Sequence, residues 1–192
     1  MTIDYLPVSW DQYHALARQL AEQLLSQKIH IDEIVGISRG GLTLGHLLTD
    51  FLRIPISTFT IQSYANLQTQ GQVKITKPLT TPIHDKHILL VDDVSDTGKT
   101  LLRALQYLKT QQPKRVTTLT LFYKPTSVYK PNYFAKTTSA WIIFPTELTE
   151  TATNIIKSMK KEGKSEAEIN TFLESLHYDK DAIAFVKKFY SK

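Results

Sequence analysis

The chain has 192 residues, 23 Lys+Arg against 18 Asp+Glu, a net charge of +5, and no cysteine. This length fits one domain with room for a small appendage, and a 42% apolar, 21% charged composition excludes wholesale disorder. No stretch reaches the ~18 apolar residues of a membrane span, the first residues do not resemble a signal peptide, and the lack of cysteine excludes disulfides, thiolate metal sites and cysteine nucleophiles while fitting a reducing cytoplasm. Glycine is scarce: of seven, four (Gly36, Gly40, Gly41, Gly45) fall within ten residues.

In chain order, Ser9 and Gln12 form an S-x-x-Q capping box, so a helix is expected to start at Ser9. Leu16, Leu20, Leu24 and Leu25 follow at helical spacing. Ile34–Ile37 is a short apolar run that ends in the glycine cluster. Residues 42–52 read as a helix with Leu44, Leu47, Leu48 and Phe51 on one face. Strands are expected at 54–61, 87–91, 116–123 and 140–144, and a helix at 100–111. Short apolar strands alternating with helices predict an α/β fold, a mostly parallel twisted sheet flanked by helices. Ligands in such sheets sit outside the carboxyl ends of the strands. The last ~45 residues change character. Ser165 and Glu168 form a second capping box, followed by Ile169, Phe172, Leu173 and Leu176, and Asp179 or Asp181 is expected to start a further helix. A helical C-terminal extension over 149–192, packed on the domain at 1–148 or on a second subunit, is therefore expected; a membrane-surface helix fits less well, because its polar face mixes charges of both signs.

The most informative segment runs from His87 to Thr100, HILLVDDVSDTGKT. An apolar strand leads into two adjacent carboxylates, a polar turn and a helix. The ending Gly98-Lys99-Thr100 suggests a P-loop, but that motif needs glycine where this chain has Asp93. Ser95, Thr97, Gly98, Lys99 and Thr100 instead offer hydroxyls and amides at a helix N-terminus, an anion nest. Asp92, Asp93 and Asp96 beside it would repel a polyphosphate but suit a monophosphate with an adjacent diol and a hard divalent cation. A phosphorylated ribose with Mg²⁺ satisfies the set. A solvated strand-to-helix turn is the alternative, and one cap does not account for three acids.

VDDVSDTGKT resembles the phosphoribosyl-pyrophosphate (PRPP) signature of the purine phosphoribosyltransferases, closest in pattern to the xanthine-guanine and hypoxanthine enzymes. The resemblance covers roughly residues 30–148 and implies the type I phosphoribosyltransferase fold. It implies that Asp92 and Asp93 bind the ribose hydroxyls and Mg²⁺, that Asp96 to Thr100 (Asp96, Thr97, Gly98, Lys99, Thr100) hold the 5-phosphate with Ser95 also in the PRPP site, and that Asp96 faces the base as the catalytic residue. Val35 to Leu42 contains Ser38-Arg39-Gly40-Gly41, which alone reads equally as an ordinary turn or as a phosphate loop. Fifty residues before the acidic pair, it resembles the family's pyrophosphate loop. All four clustered glycines are assigned to it, and a cis peptide is expected at Arg39–Gly40.

The polar segment 62–75 reads as a surface loop or hairpin, and resembles the hood of the xanthine-guanine enzymes, implying roles for Ser63, Tyr64 and Lys74 in closing over PRPP. Lys124 ends a strand; a lysine donates only, so it can bond a 6-oxo group but not an adenine amino group. Trp141 alone reads as sheet core, and Lys124 alone as an ordinary exposed lysine. The resemblance makes Lys124, Trp141, Ile142 and Glu147 the base-binding set, Trp141 stacking on the purine. Thr146 stands where the family often has Trp, while Glu147 keeps the acid.

The expected activity is Mg²⁺-dependent transfer of the phosphoribosyl group from PRPP to hypoxanthine, guanine or xanthine, in purine salvage. A same-fold enzyme with another acceptor, or a PRPP-sensing nucleic-acid-binding regulator, are the alternatives. Residues 97–146 hold eight Lys+Arg and no acid, expected to set a basic field from the phosphate nest through the base pocket. The expected partners are the two small substrates, with neither membrane nor nucleic acid, in a cytoplasmic homo-oligomer (dimer or tetramer).

Overall fold

The computed structural model describes residues 3–66 and 69–190, residues 63–66 and 69–73 by their backbone alone. The elements run β1 (Tyr5–Pro7), α1 (Trp10–Ser26), β2 (Glu33–Ser38), α2 (Gly40–Leu52), β3 (Ile56–Asn66) and β4 (Thr69–Lys77). They continue with β5 (His87–Ser95), α3 (Lys99–Lys109), β6 (Arg115–Tyr123), β7 (Tyr133–Thr137) and β8 (Trp141–Ile143). Three helices close the chain: α4 (Leu148–Lys161), α5 (Glu166–Ser175) and α6 (Lys180–Tyr190). They form two compact units, Tyr13–Ser139 and Met1–Gln12 with Ala140–Lys192.

The larger unit carries a six-stranded sheet in the order β4-β3-β2-β5-β6-β7, parallel except for the antiparallel β3–β4 pair. β2 and β5 are buried almost throughout, as strands covered on both faces must be. Val35, Ile37, Phe59, Ile88 and Leu90 form one core face with Leu101, Ala104 and Leu108 of α3. On the other face α2 comes close enough that a Cβ on Gly45 would lie 2.5 Å from the Ile56 side chain and 3.8 Å from that of Ile34. The chain leaves β2 toward β3 on one side and runs from β5 to β6 and β7 on the other. The β2/β5 border is thus the topological switch point, with a crevice at its carboxyl edge.

The opposite edge of the sheet is tied by a polar network. Buried Glu33 accepts a hydrogen bond from the Ser57 hydroxyl at 2.6 Å and pairs with Lys86 at 3.3 Å, while Ser57 meets the Thr81 hydroxyl at 2.6 Å. A carboxylate out of water needs such partners, and these come from the starts of β2 and β3 and the residue before β5. Nearby, Asp32 accepts from the His87 amide at 2.7 Å, which holds its carboxyl below the ordinary range.

The smaller unit pairs β1 with β8 in parallel and buries Ile143 with Ala152, Ile155, Ile169, Leu173, Ile183 and Val186 of the three closing helices. Tyr178 donates to the Leu148 carbonyl at 3.1 Å, and burial pushes its phenol up to about 12.

The two capping boxes form as expected. Ser9 and Gln12 exchange bonds of 3.0 and 3.1 Å, and Ser165 and Glu168 bonds of 2.8 and 3.3 Å. Asp179, not Asp181, caps α6, accepting from the Ala182 amide at 2.7 Å. Leu25 departs from the expected buried stripe and is exposed. The strand of the acidic segment runs on through both carboxylates to Ser95, because Asp92, Val94 and Ser95 keep their ladder partners on β6. The segment at 140–144 is a strand outside the main sheet, paired with β1.

Two outcomes test this account. Lys86→Met leaves Glu33 buried without its cation and should destabilise the fold by about 1–3 kcal/mol, discounted for the partial exposure of Lys86, with turnover per folded molecule unchanged; an unaltered denaturation midpoint would contradict the network. Glu168 is held at about 2, below its ordinary 4.5, first by the Ser165 amide, then by the Ser165 hydroxyl and Lys164. A carboxyl depressed by folding stabilises above its unfolded pKa and loses that contribution as pH falls. The stability gap between wild type and Glu168→Ala should therefore be full at pH 7 and close between pH 4.5 and about 2, read from thermal midpoints.

Candidate functional site

At the carboxyl edge of the switch point, β2 turns into α2 against the end of β5. The Ser38–Arg39 peptide is cis, one bond earlier than the expected Arg39–Gly40; Arg39 has helical dihedrals and Gly40 opens α2. The glycines here act by closeness. A Cβ on Gly40 would lie 2.6 Å from an oxygen of both Asp92 and Asp93, and one on Gly41 would collide with the Val91 carbonyl oxygen. The other two clustered glycines do different work: Gly36 lies in β2, where a Cβ would sit 3.1 Å from the Gly41 carbonyl oxygen, and Gly45 lies in the helix–sheet contact. The assignment of all four to one loop is thus corrected to two. Arg39 is exposed at the head of α2.

Asp92 is buried and Asp93 half-buried, and the Asp93 amide donates to the Asp92 carboxylate at 3.1 Å. Both carboxylates converge on the cradle that a Gly40 side chain would fill. Beyond them, Asp92 to Gly98 with Thr100 and Leu101 line a cavity of about 210 Å³. Gly98 caps α3 at φ 77°, a left-handed conformation that suits glycine. Any side chain there would also meet the Ser127 hydroxyl and, at 2.6 Å, the Tyr129 amide. The first-turn amides of a helix have no intrahelical acceptor, so the head of α3, with Lys99 and Thr100, gives the cavity the character of an anion site.

Ser95 lines that cavity, but its hydroxyl is held by other partners. It is fully buried and bonds the Tyr129 carbonyl at 2.8 Å and the Ser127 hydroxyl at 2.9 Å. The Val128 amide donates to the Thr97 carbonyl at 3.0 Å. The 127–129 loop therefore buttresses the turn from behind. Sequence reasoning missed Ser127 and Tyr129, since no local pattern marks a loop that braces a turn thirty residues earlier.

At the ends of neighbouring β5 and β6, Asp96 and Lys124 form an ion pair of 3.1 Å. The Lys124 side chain is only 14% exposed, that of Asp96 55%, and the Lys124 amide donates to the Ser95 carbonyl at 3.0 Å. The expected basic field is only partly gathered here. Lys99 and Lys124 sit at this edge, whereas the amides of Lys114 and Arg115 bond the Lys86 carbonyl at the far edge.

In the smaller unit, Trp141 is 54% exposed, not sheet core, because its strand belongs to a two-stranded pair. It lines a cavity of about 200 Å³ with Tyr5, Thr151, Asn154 and others. Ile142 is buried. Glu147 caps α4 through its backbone, its carbonyl accepting from the Thr151 amide at 3.0 Å. Lys74 is exposed on the β3–β4 hairpin; the side chains of Ser63 and Tyr64 lie outside the described residues. Among the described residues, no three His, Asp or Glu side chains are grouped to hold a metal by themselves.

Residues 9–152 match the family described as the phosphoribosyl transferase domain. Among solved structures, the chain is similar to a purine phosphoribosyltransferase from Pyrococcus horikoshii Ot3, at 33% identity over 74% of this chain and 93% of that one, with a TM-score of 0.68. It is similar in fold to the xanthine-guanine-hypoxanthine phosphoribosyltransferase of Helicobacter pylori, at 23% identity, 77% and 96% coverage and a TM-score of 0.65. A Neisseria gonorrhoeae protein crystallised with bound ppGpp matches at 25% identity, 77% and 91% coverage and a TM-score of 0.68. With the switch-point site and these likenesses together, the chain belongs to the phosphoribosyltransferase family and is a transferase of its purine type.

Proposed function

We propose that this enzyme transfers the phosphoribosyl group of PRPP to a 6-oxopurine (hypoxanthine, guanine or xanthine) with Mg²⁺, giving a nucleoside 5′-monophosphate and pyrophosphate in purine salvage. The observation that carries the reading is the convergence of the Asp92 and Asp93 carboxylates on Gly40, beside the Asp96–Lys124 pair. Mg²⁺ prefers one or two carboxylates completed by substrate oxygens and water over an all-protein cage, and Asp92 and Asp93 at that cradle fit this donor set. When bound, the ion would supply charge neutralisation for the leaving pyrophosphate.

The chain's own groups divide the remaining work. The amides and hydroxyls of Thr97 to Thr100 hold the 5-phosphate, and Asp92 and Asp93 orient the ribose diol. Arg39 and the amides of Gly40 and Gly41 hold the pyrophosphate and stabilise the charge that grows on it as the anomeric bond breaks. The hairpin carrying Ser63, Tyr64 and Lys74 excludes water from the oxocarbenium-like centre. A 6-oxopurine presents an acceptor at O6 beside a proton at N7. It therefore replaces the Asp96–Lys124 ion pair with two hydrogen bonds, Lys124 donating to O6 and Asp96 accepting from N7. Adenine instead sets a donor, its amino group, against the donor of Lys124. Asp96 acts as the base for N7. In this reading residues 1–148 are the transferase domain and 149–192 an extension, in a cytoplasmic homo-oligomer.

Asp96→Asn should lower kcat by about 10²–10⁴ while PRPP affinity changes less than about threefold; near-normal turnover would remove Asp96 from the base role. Purified enzyme given PRPP, Mg²⁺ and one base at a time should release pyrophosphate with 6-oxopurines, and with adenine at a kcat/KM lower by about 10² or more. Release with uracil or adenine alone would replace the acceptor assignment, and silence on every base would favour a PRPP-binding regulator.

A further inference from the structure

Helix α6 lies beyond residues 9–152, the span that matches the family. Its inner face buries Ile183 and Val186 against α4 and α5. Its outer face is unusual for a solvated helix: Phe185, Phe189 and Tyr190 are 48%, 56% and 48% exposed. Phe185 lies 5.2 Å from Phe189 and 6.0 Å from Tyr190, centroid to centroid. Beside Phe185 runs a groove of about 460 Å³ bordered by Leu148, Ala182 and Val186, with Asp179 and Asp181 at its rim.

Charge is graded along this helix. Asp181 stands in its first turn and Lys187 and Lys188 in its last. Lys187 is engaged within the unit by Glu166 and Asn170, whereas exposed Lys188 overlies the Phe189 ring at 5.1 Å. Asp181, Phe185 and Lys188 fall at i, i+4 and i+7, one stripe of the helix. The two charges are about 10 Å apart along the axis, with an aromatic ring between them. A stripe that is acidic at one end, aromatic in the middle and basic at the other is complementary to itself when reversed.

We propose that α6 is a self-association surface that pairs antiparallel with α6 of a second copy about a two-fold axis near Phe185. The two Phe185 rings meet at the axis. Asp181 then faces Lys188 of the partner subunit, and symmetry makes that pair occur twice. Phe189 of the partner subunit enters the groove bordered by Leu148 and Ala182. The contact buries the aromatic face that otherwise stays in water.

Sedimentation velocity or light scattering over about 1–100 μM tests this, with far-UV circular dichroism to check each variant's helix content. The wild type should be a dimer or a larger even assembly. Asp181→Lys, Lys188→Asp and Phe189→Ser should each raise the dissociation constant of the α6 contact at least about fivefold, since each charge reversal acts twice. The double exchange Asp181→Lys with Lys188→Asp should restore assembly. A monomeric wild type throughout that range, single variants with smaller effects, or a double exchange that fails to restore assembly would each overturn the pairing.

Discussion

The approach of the β2–α2 turn to the end of β5 is the contact on which the site depends. Two parallel strands lie side by side at the switch point, so the segments leaving their carboxyl ends are brought together by the ladder itself. What remains is distance. With any side chain at residue 40, the turn would strike both carboxylates; with one at residue 41, it would strike the Val91 carbonyl. Two glycines thus let a backbone rich in amides lie directly against two acids. Opposite chemistries, backbone donors and carboxylate acceptors, then share one small volume.

That closeness needs a sheet that does not shift beneath it, and the fold separates the two tasks along the strands. The Glu33–Lys86–Ser57–Thr81 network binds the amino edge, while both faces of β2 and β5 are packed by α2 and α3. The carboxyl edge is then free to carry groups whose partners are poor for stability, such as a buried Asp92 and a glycine turn at positive φ. Even there, support comes from behind: the Ser95 hydroxyl and the Thr97 carbonyl are tied to the 127–129 loop, leaving the cavity side of the turn to face a ligand.

The parts legible in the sequence were those set by local rules. Capping boxes at Ser9 and Ser165, the glycine at residue 98 and the strand–turn–helix course of residues 87–100 depend on neighbours within a few positions. The acidic pair and the glycine cluster were visible for the same reason. Contacts between distant segments were not. The strand expected at 140–144 forms as β8, but its partner β1 is only three residues long, and β7 is short and partly polar, so periodicity marks neither β1 nor β7. The exposure of Trp141 follows from its place in that two-stranded pair. Leu25 keeps helical spacing yet faces water, because the arc of a helix that is buried is decided by what packs on it.

In the function proposed above, the Asp96–Lys124 pair would set the selectivity of the site before any base is present. Lys124 is mostly shielded from solvent, so its ammonium depends on the carboxylate for compensation. A ligand that separates the two must satisfy both, with an acceptor toward the lysine and a donor toward the aspartate at the spacing the ion pair already fixes. A ligand offering two donors compensates one side only and sets a donor against a shielded cation, a cost the bond it gains does not offset. Discrimination of this kind needs no steric barrier. It follows from placing two opposite charges at the ends of adjacent strands and burying one more deeply than the other.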